Sequence, residues 1–270
     1  MGSPQALEEL EKPARPLTIL YQSEHLVAIN KPAGLLVHRS ALDRHEHRNA
    51  LRMLKEQTGH YLYPVHRLDK PTSGVLVFAL SKEAASDLSF QFENGLVQKT
   101  YIAIVRGHCE KIGTINHAVR DRDAKYKTGK SKQAVDAITH YSTLATIELP
   151  YHVDRYPTSR YSLLQVRPVT GRRHQIRLHL KHISHPIIGD TNYGKTSHNR
   201  FFASHYHSRR LLLHACSLTL TVPGAQQPIT INAPVDDEFF VRILNDQSWQ
   251  WEKDHTANNL LHPRQTALDT

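Results

Sequence analysis

Cysteine is scarce in this chain, with 2 among 270 residues, Cys109 and Cys216, at no close spacing. A disulfide framework needs several cysteines and a zinc site needs closely spaced pairs, so neither is indicated and both thiols are expected to be reduced. Long apolar runs are lacking too. The longest, Val75 to Leu80, is too short to cross a bilayer, and the N-terminus has no charged start followed by an apolar core. We therefore expect a cytoplasmic protein with no membrane partner.

Glycine-rich loops that bind phosphate or dinucleotides are also missing. The sequence GKS at 129–131 is similar to the end of a phosphate-binding loop, but Ala124 stands where the loop needs its first glycine. Three histidines recur at a spacing that could favour a metal: His179, His182 and His185. Pro186 is expected to end the helix before the third of them, so they do not share one helical face. We therefore expect no cofactor and no metal.

Positive charge is what the sequence has in excess. Lys and Arg total 34 against 25 Asp and Glu, which gives a formal net charge of +9 and a pI near 9.5. Such a surplus attracts polyanions, with nucleic acid ahead of an anionic membrane. Basic and aromatic residues also alternate at Arg155, Tyr156, Arg160 and Tyr161, which would add stacking surfaces, although strand packing explains these tyrosines equally well. Composition favours a nucleic-acid partner without selecting an activity.

One α+β domain is predicted over residues 17–250, between flexible ends at 1–16 and 251–270. The segments LTILYQ and HLVAIN flank a polar turn and predict a β-hairpin. Ser81 is suited to cap a helix that follows the buried strand GVLVFAL. Further strands are predicted at KTYIAIVRG, AITHYSTLATIEL, YSLLQV, LLLHACSLTL and PITINA. Many strands with few helices between them predict a mixed, mainly antiparallel sheet.

The segment HRLDKPTSG, residues 66–74, places one carboxylate among cations. Pro71 favours an extended conformation at Lys70, so Arg67 and Asp69, two residues apart, are expected to project to the same side. Arg67 would then hold Asp69 ionised. Two interpretations remain open from these residues alone: a structural turn with an ion pair, or a catalytic aspartate.

A helix with one basic face is predicted in VTGRRHQIRLHLKH, beginning near His174 after a Thr170-Gly171 turn. Its apolar positions are expected to pack on the core: Ile176, Leu180 and Ile183. Its basic positions fall on a different face: Arg173, Arg177 and Lys181. This face is either a track for phosphates or simply a solvated side of the helix.

Tyr101 lies in the alternating segment KTYIAIVRG, where Tyr101, Ala103 and Val105 share one face of the predicted strand and Ile102 and Ile104 share the other. Its ring is either an ordinary half-buried strand residue or a surface on which a flat ligand such as a base stacks. In the second case its hydroxyl would be free to act as an acid or base.

Together these segments resemble the RluA-type pseudouridine synthases, which modify uridines in ribosomal and transfer RNA. HRLD with TSG is similar to the catalytic motif of that family, and the other blocks follow in the same order: NKPAGLLVH, KTYIAIVRG, TGRRHQIRLHL, HPIIGDTNYG and LLLHA. The resemblance covers about Leu17 to about Val235. It implies the pseudouridine synthase fold, a sheet in two halves with flanking helices and a central cleft, and an isomerase that needs no cofactor.

The resemblance also implies roles for particular residues. Asp69 would be the catalytic aspartate, and Arg177 would pair with its carboxylate. Tyr101 would stack on the target uracil and take the C5 proton. Arg67 would help to expel the target base and occupy its place. Further substrate-binding positions are expected at His66, Arg173, Lys181 and Ile187, the last in a block with Gly189 and Asp190 that shapes the cleft without a chemical step.

Within the family, this chain most resembles the subgroup that modifies uridine 65 of tRNA. It shares the segments LVHRSALDR and RYPTSRYSLLQVRPVTGRRHQIR and shows no S4-type RNA-binding domain. That subgroup often has a second arginine where Leu178 stands here, so ribosomal RNA stays an alternative to tRNA as the partner. A monomer is expected.

Two other classes fit less well: a non-catalytic RNA-binding module leaves Asp69 unexplained, and a glycoside hydrolase needs a second placed carboxylate.

Overall fold

A computed structural model describes residues 16–38, 48–120 and 133–263. The GKS sequence at 129–131, most of the segment LVHRSALDR and the ends at 1–15 and 264–270 lie outside these ranges. The described strands are β1 (Thr18–Gln22), β2 (Leu26–Lys31), β3 (Tyr63–Pro64), β4 (Ser73–Ala79), β5 (Gln98–Arg106), β6 (Ile112–Asn116), β7 (Ile138–Leu149), β8 (Ser159–Pro168), β9 (Leu213–Thr221), β10 (Pro228–Asn232) and β11 (Gln250–Trp251). The described helices are α1 (Ala50–Thr58), α2 (Lys82–Glu93), α3 (Gln175–His182), α4 (Thr196–His205), α5 (Glu238–Leu244) and α6 (Ala257–Leu261).

The strands form one mixed sheet in the order β1-β2-β4-β9-β5-β8-β7-β11, with β3, β6 and β10 attached to β4, β7 and β9. The pairings are antiparallel except between β4 and β9, which run parallel for only two residue pairs, Ser73 with His214 and Gly74 with Ala215. This short contact joins a β1-β2-β4 half to a β9-β5-β8-β7 half. The predicted mixed, mainly antiparallel sheet is confirmed.

The junction between the halves requires glycine at position 74. Gly74 has φ of 111°, and a Cβ atom there would lie 2.1 Å from the backbone oxygen of Ala215. A side chain would therefore meet both a strained backbone and a neighbouring main chain. Because β4 begins here, the loop that precedes it, including Asp69, is fixed at the middle of the sheet.

Both faces of the sheet are covered, and the alternation predicted for β5 is confirmed. Ile102 and Ile104 contribute to one core cluster, together with residues of α4 and α5. Ala103 and Val105 contribute to another, which includes Ile176 and Leu180 of α3. The predicted cap of α2 is also present, since the Ser81 hydroxyl accepts from Ala84 N at 3.1 Å. Packing on both faces makes β5 a rigid support for the residues at its two ends.

The ordered chain continues past residue 250, where a flexible tail was predicted. Trp251 in β11 pairs with Ala145 of β7, and Ala257, Leu260 and Leu261 of α6 pack against the core. These few apolar residues in a polar segment are too sparse to predict a helix by periodicity. In the described part of the chain, no helix is long and apolar enough to cross a membrane.

Candidate active site

The loop that carries Asp69 is tied to the NKPAG segment by a buried lysine. Lys31 is 0% exposed and donates from Nζ to the carbonyl oxygens of Pro32 at 2.9 Å, Leu35 at 2.8 Å and Lys70 at 3.1 Å. Burial, followed by the charge of Arg210, lowers the pKa of Lys31 to about 7, while the charge of Asp69 acts in the opposite direction. One ammonium group therefore joins two loops directly beneath the candidate site.

Asp69 pairs with Arg177 and not with its sequence neighbour Arg67. Arg177 Nη1 donates to Asp69 Oδ2 at 3.0 Å, and His174 Nε2 lies 3.7 Å from Asp69 Oδ1. Arg67 is exposed and forms no ion pair with any residue that the structure describes. The local ion pair that the two-residue spacing predicted is therefore wrong, because Asp69 turns inward, toward α3.

Arg177 is itself held in place by a second carboxylate. Its Nε and Nη2 donate to Asp190 Oδ2 and Oδ1 at 2.7 and 2.9 Å, and Asp190 Oδ1 also accepts from Asn192 N and Tyr193 N at 3.0 Å each. Burial alone would raise the pKa of Asp190, but the hydrogen bonds and charge of Arg177 and the two backbone donors bring it below its ordinary value. Asp190, Arg177 and Asp69 are thus linked by consecutive ion pairs, called the Asp190-Arg177-Asp69 series here.

This arrangement corrects the prediction of a free basic face on α3. Arg177 is only 4% exposed. Burial disfavours its charge, but the hydrogen bonds and charge of Asp190, followed by those of Asp69, raise the pKa of its guanidinium above the ordinary value. Because its donors are used by carboxylates, Arg177 is not available to bind a phosphate.

Asp69 and Arg177 open onto a cavity of about 680 Å³, called the central cavity here. The residues that line it include Arg67, Asp69, Lys99, Tyr101, Arg173 and Arg177. Tyr101 is half-buried in the first half of β5. Burial, the charge of Asp69 and the nearby Cys216 together raise the pKa of its phenol well above the ordinary value. The ring is thus a neutral, flat surface in the same cavity as the carboxylate.

The structure brings most of the predicted site residues to this cavity. His66 lines it, but its Nε2 accepts from Val77 N at 3.0 Å and its ring stacks on Phe92 at 4.4 Å. Burial, with a contribution from the charge of Lys99, lowers the pKa of His66 to about 3, so the ring is a neutral wall of the site.

Two predicted substrate-binding residues lie elsewhere. Lys181 is exposed, with its ammonium 5.8 Å from the centre of the Tyr193 ring, and does not line the central cavity. Ile187 is 1% exposed and pairs with Val105 inside the core. A core side chain cannot contact substrate, so Ile187 supports the site only through packing.

Several cavity residues had been given no role from the sequence. Lys99 is two residues before Tyr101 in β5 and therefore shares its face of the strand, which strand periodicity could have indicated. His174 has a left-handed backbone, with φ of 55°, and its Nδ1 hydrogen-bonds the Tyr193 hydroxyl at 2.9 Å. Nothing in the local sequence indicates that this turn points His174 back toward Asp69.

The charge of the cavity suits a polyanion. Besides Arg177, whose donors are used by carboxylates, four basic side chains line it together with the acidic Asp69 and Glu93: Arg67, Lys99, Arg172 and Arg173. Within the described ranges, no group of three His, Cys, Asp or Glu residues could hold a metal ion. The arrangement can bind phosphates and hold a flat base beside an oriented carboxylate.

Residues 25–182 match the family described as RNA pseudouridylate synthase, a range that contains Asp69, Tyr101 and Arg177. The chain belongs to the RNA pseudouridylate synthase family. This pseudouridylate synthase is 49% identical to tRNA pseudouridine synthase C of Pasteurella multocida, over 88% of this chain and 99% of that protein. It is 46% identical to the protein of the same name from Vibrio cholerae, over 87% of this chain and 97% of the other.

Solved structures agree with this assignment. Human RNA Pseudouridylate Synthase Domain Containing 1 superposes with a TM-score of 0.66 at 26% identity, over 89% of this chain and 91% of that one. Human RNA Pseudouridylate Synthase Domain Containing 4 gives 0.63 at 27% identity, over 86% and 94%. The family and the fold that the sequence blocks predicted are both confirmed.

Proposed function

We propose that this synthase converts uridine to pseudouridine in tRNA, at uridine 65, with Asp69 as the catalytic carboxylate. The observation that carries the proposal is the Asp190-Arg177-Asp69 series facing the Tyr101 ring across one cationic cavity. The tRNA substrate is supported by the names of relatives that match nearly the whole chain at 45 to 49% identity.

Asp69 supplies the negative group that the isomerisation needs. The reaction breaks the C1′–N1 bond, turns the detached uracil and joins C5 to C1′, after which the C5 proton is lost. A carboxylate can add to C1′ or C6, or can take a proton from C2′, and all three routes require it to be ionised and fixed. Arg177 provides both conditions, because its guanidinium stabilises the charge of Asp69 and is itself immobilised by Asp190.

Tyr101 is proposed to stack on the target uracil while it turns. A half-buried aromatic ring in the floor of the cavity offers this surface without a change in protonation. Its raised pKa keeps the phenol protonated near neutral pH. The hydroxyl can therefore accept the C5 proton only if its own proton leaves in the same step.

The target nucleotide must leave its stack before it reaches Asp69, at a cost of a few kcal/mol. Arg67 is exposed at the cavity and is placed to occupy the space that the base leaves. Lys99, Arg172 and Arg173 are proposed to neutralise the phosphates beside the flipped nucleotide. Because these contacts are electrostatic, binding should weaken as salt concentration rises.

Ribosomal RNA is the second candidate substrate, since Leu178 departs from the pattern of the tRNA subgroup. We further propose a monomer that acts in the cytoplasm, in keeping with its two free cysteines. The catalytic domain is proposed to extend from residue 17 to at least Leu261, the end of the last described helix.

Release of tritium from tRNA labelled at C5 of uridine tests the proposal. Of the three classes considered, only a pseudouridine synthase frees this label, since a binding module or a glycosidase would leave it on the uracil ring. We expect the parent chain to release one equivalent per tRNA, and mapping of the product should place pseudouridine at position 65. Release from ribosomal RNA alone, or a product at another position, would contradict the tRNA assignment.

A further inference from the structure

A second cavity, of about 540 Å³, lies at the far end of β5 and β8. It is called the β5-end cavity here, and the residues that line it include Arg106, Asp154, Tyr156, Arg160, His185 and His198. None of these residues lines the central cavity. The uridine chemistry proposed above does not use it.

Rigid elements connect the two cavities. Tyr101 lies in the first half of β5 and Arg106 is its last residue, about 17 Å away at ~3.4 Å per residue. Helix α3 begins with Gln175 in the central cavity, and the chain just after it contributes Ser184 and His185 to the β5-end cavity. The two cavities are therefore held at a fixed separation that one folded RNA is long enough to span.

Arg106 gives the β5-end cavity an unbalanced positive charge. The other charged groups are paired: Asp154 with Lys195, and Arg160 with Glu148 at 3.1 Å. Arg106 forms no ion pair within the described ranges, although its charge acts on Asp154 and on His198. A half-buried guanidinium without a carboxylate partner is a ready site for a phosphate oxygen.

His198 adds a buried polar atom that has no partner. Its side chain is 4% exposed, and Nδ1 shares a hydrogen bond with the Tyr161 hydroxyl at 3.0 Å. Its other ring nitrogen, Nε2, is buried with no hydrogen-bond partner among the residues described. A buried polar group without a hydrogen bond costs free energy. Such a group in the wall of a cavity therefore indicates a ligand that supplies the missing hydrogen bond.

The mouth of the cavity offers a surface for a base. Tyr156 is 52% exposed, with the Arg155 guanidinium 4.9 Å from its ring centre, and Pro157 lies beside it. The inner wall is closely packed: a Cβ atom at Gly107 would lie 3.0 Å from His185 Nδ1. The Arg106 guanidinium, the buried His198 Nε2 and the exposed Tyr156 ring together suit a phosphate with an attached nucleoside.

We propose that the β5-end cavity binds one nucleotide of the RNA substrate, distant from the target uridine. Arg106 binds its phosphate, His198 Nε2 hydrogen-bonds its base or ribose, and Tyr156 stacks on the base. This inference rests on the proposed function, because it assigns the cavity to the same RNA. The RNA would then contact the protein at two places, the central cavity and the β5-end cavity. The contact in the β5-end cavity would determine which uridine along the RNA reaches Asp69.

The test is equilibrium binding of in vitro transcribed tRNA to the full chain, over a series of salt concentrations, with turnover measured in parallel. We expect Arg106→Gln to weaken binding about tenfold at low salt and to reduce the slope of log affinity against log salt by about 0.7 to 0.9. The loss should appear in KM more than in kcat. Arg242→Gln, which removes an exposed charge from α5, is the matched control and should stay within twofold.

Tyr156→Ala keeps the test decisive if Arg106→Gln unfolds, because Tyr156 is largely exposed on a loop. It should weaken tRNA binding several-fold. Parent-like tRNA affinity in both variants would overturn the proposal. Binding of adenosine monophosphate tests whether the cavity serves a free nucleotide instead of RNA. The proposal is wrong if the parent chain binds adenosine monophosphate tightly, Arg106→Gln binds it more weakly, and tRNA affinity is the same with and without the mononucleotide. A parent chain that releases no tritium would instead refute the proposed function.

Discussion

Replacing Asp190 by asparagine tests whether the carboxylate behind Arg177 is part of the catalytic apparatus. Asp190→Asn preserves the shape of the side chain and one oxygen. It removes the charge and places an NH₂ group against the Arg177 guanidinium, where two N–H groups now donate at 2.7 and 2.9 Å. Arg177 should then lose its fixed orientation toward Asp69.

The magnitude follows from the contacts. Breaking a buried ion pair by removing one partner costs about 3 to 5 kcal/mol of folding stability. If about 2 to 3 kcal/mol of orientation is also lost in the transition state, kcat falls about 30- to 150-fold, since each 1.36 kcal/mol is a factor of ten. The affinity for tRNA should change little, because Asp190 does not contact the central cavity.

The pH dependence gives a second readout with a definite sign. The folded pKa of Asp190 lies below that of the unfolded chain, so its stabilisation is fully present above the unfolded value, about 3.9, and is lost as pH falls through the folded value. The stability difference between parent and Asp190→Asn should therefore be constant near pH 6 to 7 and should shrink in acid. Urea unfolding across this range measures it.

Asp246→Asn is the matched control, because Asp246 also has a lowered pKa but accepts from the Tyr206 hydroxyl at 2.6 Å and does not line the central cavity. It should lose stability and keep kcat. If Asp190→Asn likewise lost stability while turning over at the parent rate, the positioning role of Asp190 would be refuted.

Three further variants test other parts of the account. Gly74→Ala should lose more than about 3 kcal/mol of the free energy of unfolding, measured in urea, because its Cβ would lie 2.1 Å from the Ala215 backbone oxygen. A loss below about 1 kcal/mol would show that the backbone at the strand junction can move to accommodate a side chain. Lys31→Met should lose about 2 to 4 kcal/mol, because the carbonyls of Pro32 and Leu35 lose their donor and the Lys70 carbonyl keeps only Gly34 N; unchanged stability would contradict the role of Lys31 in joining the loops. Tyr101→Phe should bind tRNA within twofold but lower kcat at least tenfold; turnover at the parent rate would exclude proton transfer by the hydroxyl.

Sequence periodicity predicted the parts of the fold that depend on local geometry. The two faces of β5 followed from alternation, because every second residue of a strand points the same way. The cap of α2 followed from Ser81, whose hydroxyl can satisfy a free backbone N–H only at a helix start. The hairpin of β1 and β2 followed from two apolar segments around a polar turn.

The partners of charged residues were not predictable in this way. Arg67 is close to Asp69 in sequence, but the actual partner is Arg177, 108 positions away. Such a pair depends on how β4 and α3 meet, which local spacing does not encode. The resemblance to known blocks did name Arg177 as that partner, but it gave Asp190 no role in chemistry. The burial of Lys31 under three carbonyls likewise follows only from tertiary structure.

The most direct test of the central claim is turnover by Asp69→Asn at saturating tRNA, measured beside its tRNA affinity. Asparagine keeps the shape of the side chain but cannot act as an anionic nucleophile or base. We predict no detectable tritium release over many parent turnover times, with tRNA affinity within a few-fold of the parent. Release at a rate close to that of the parent chain would show that Asp69 is not the catalytic group.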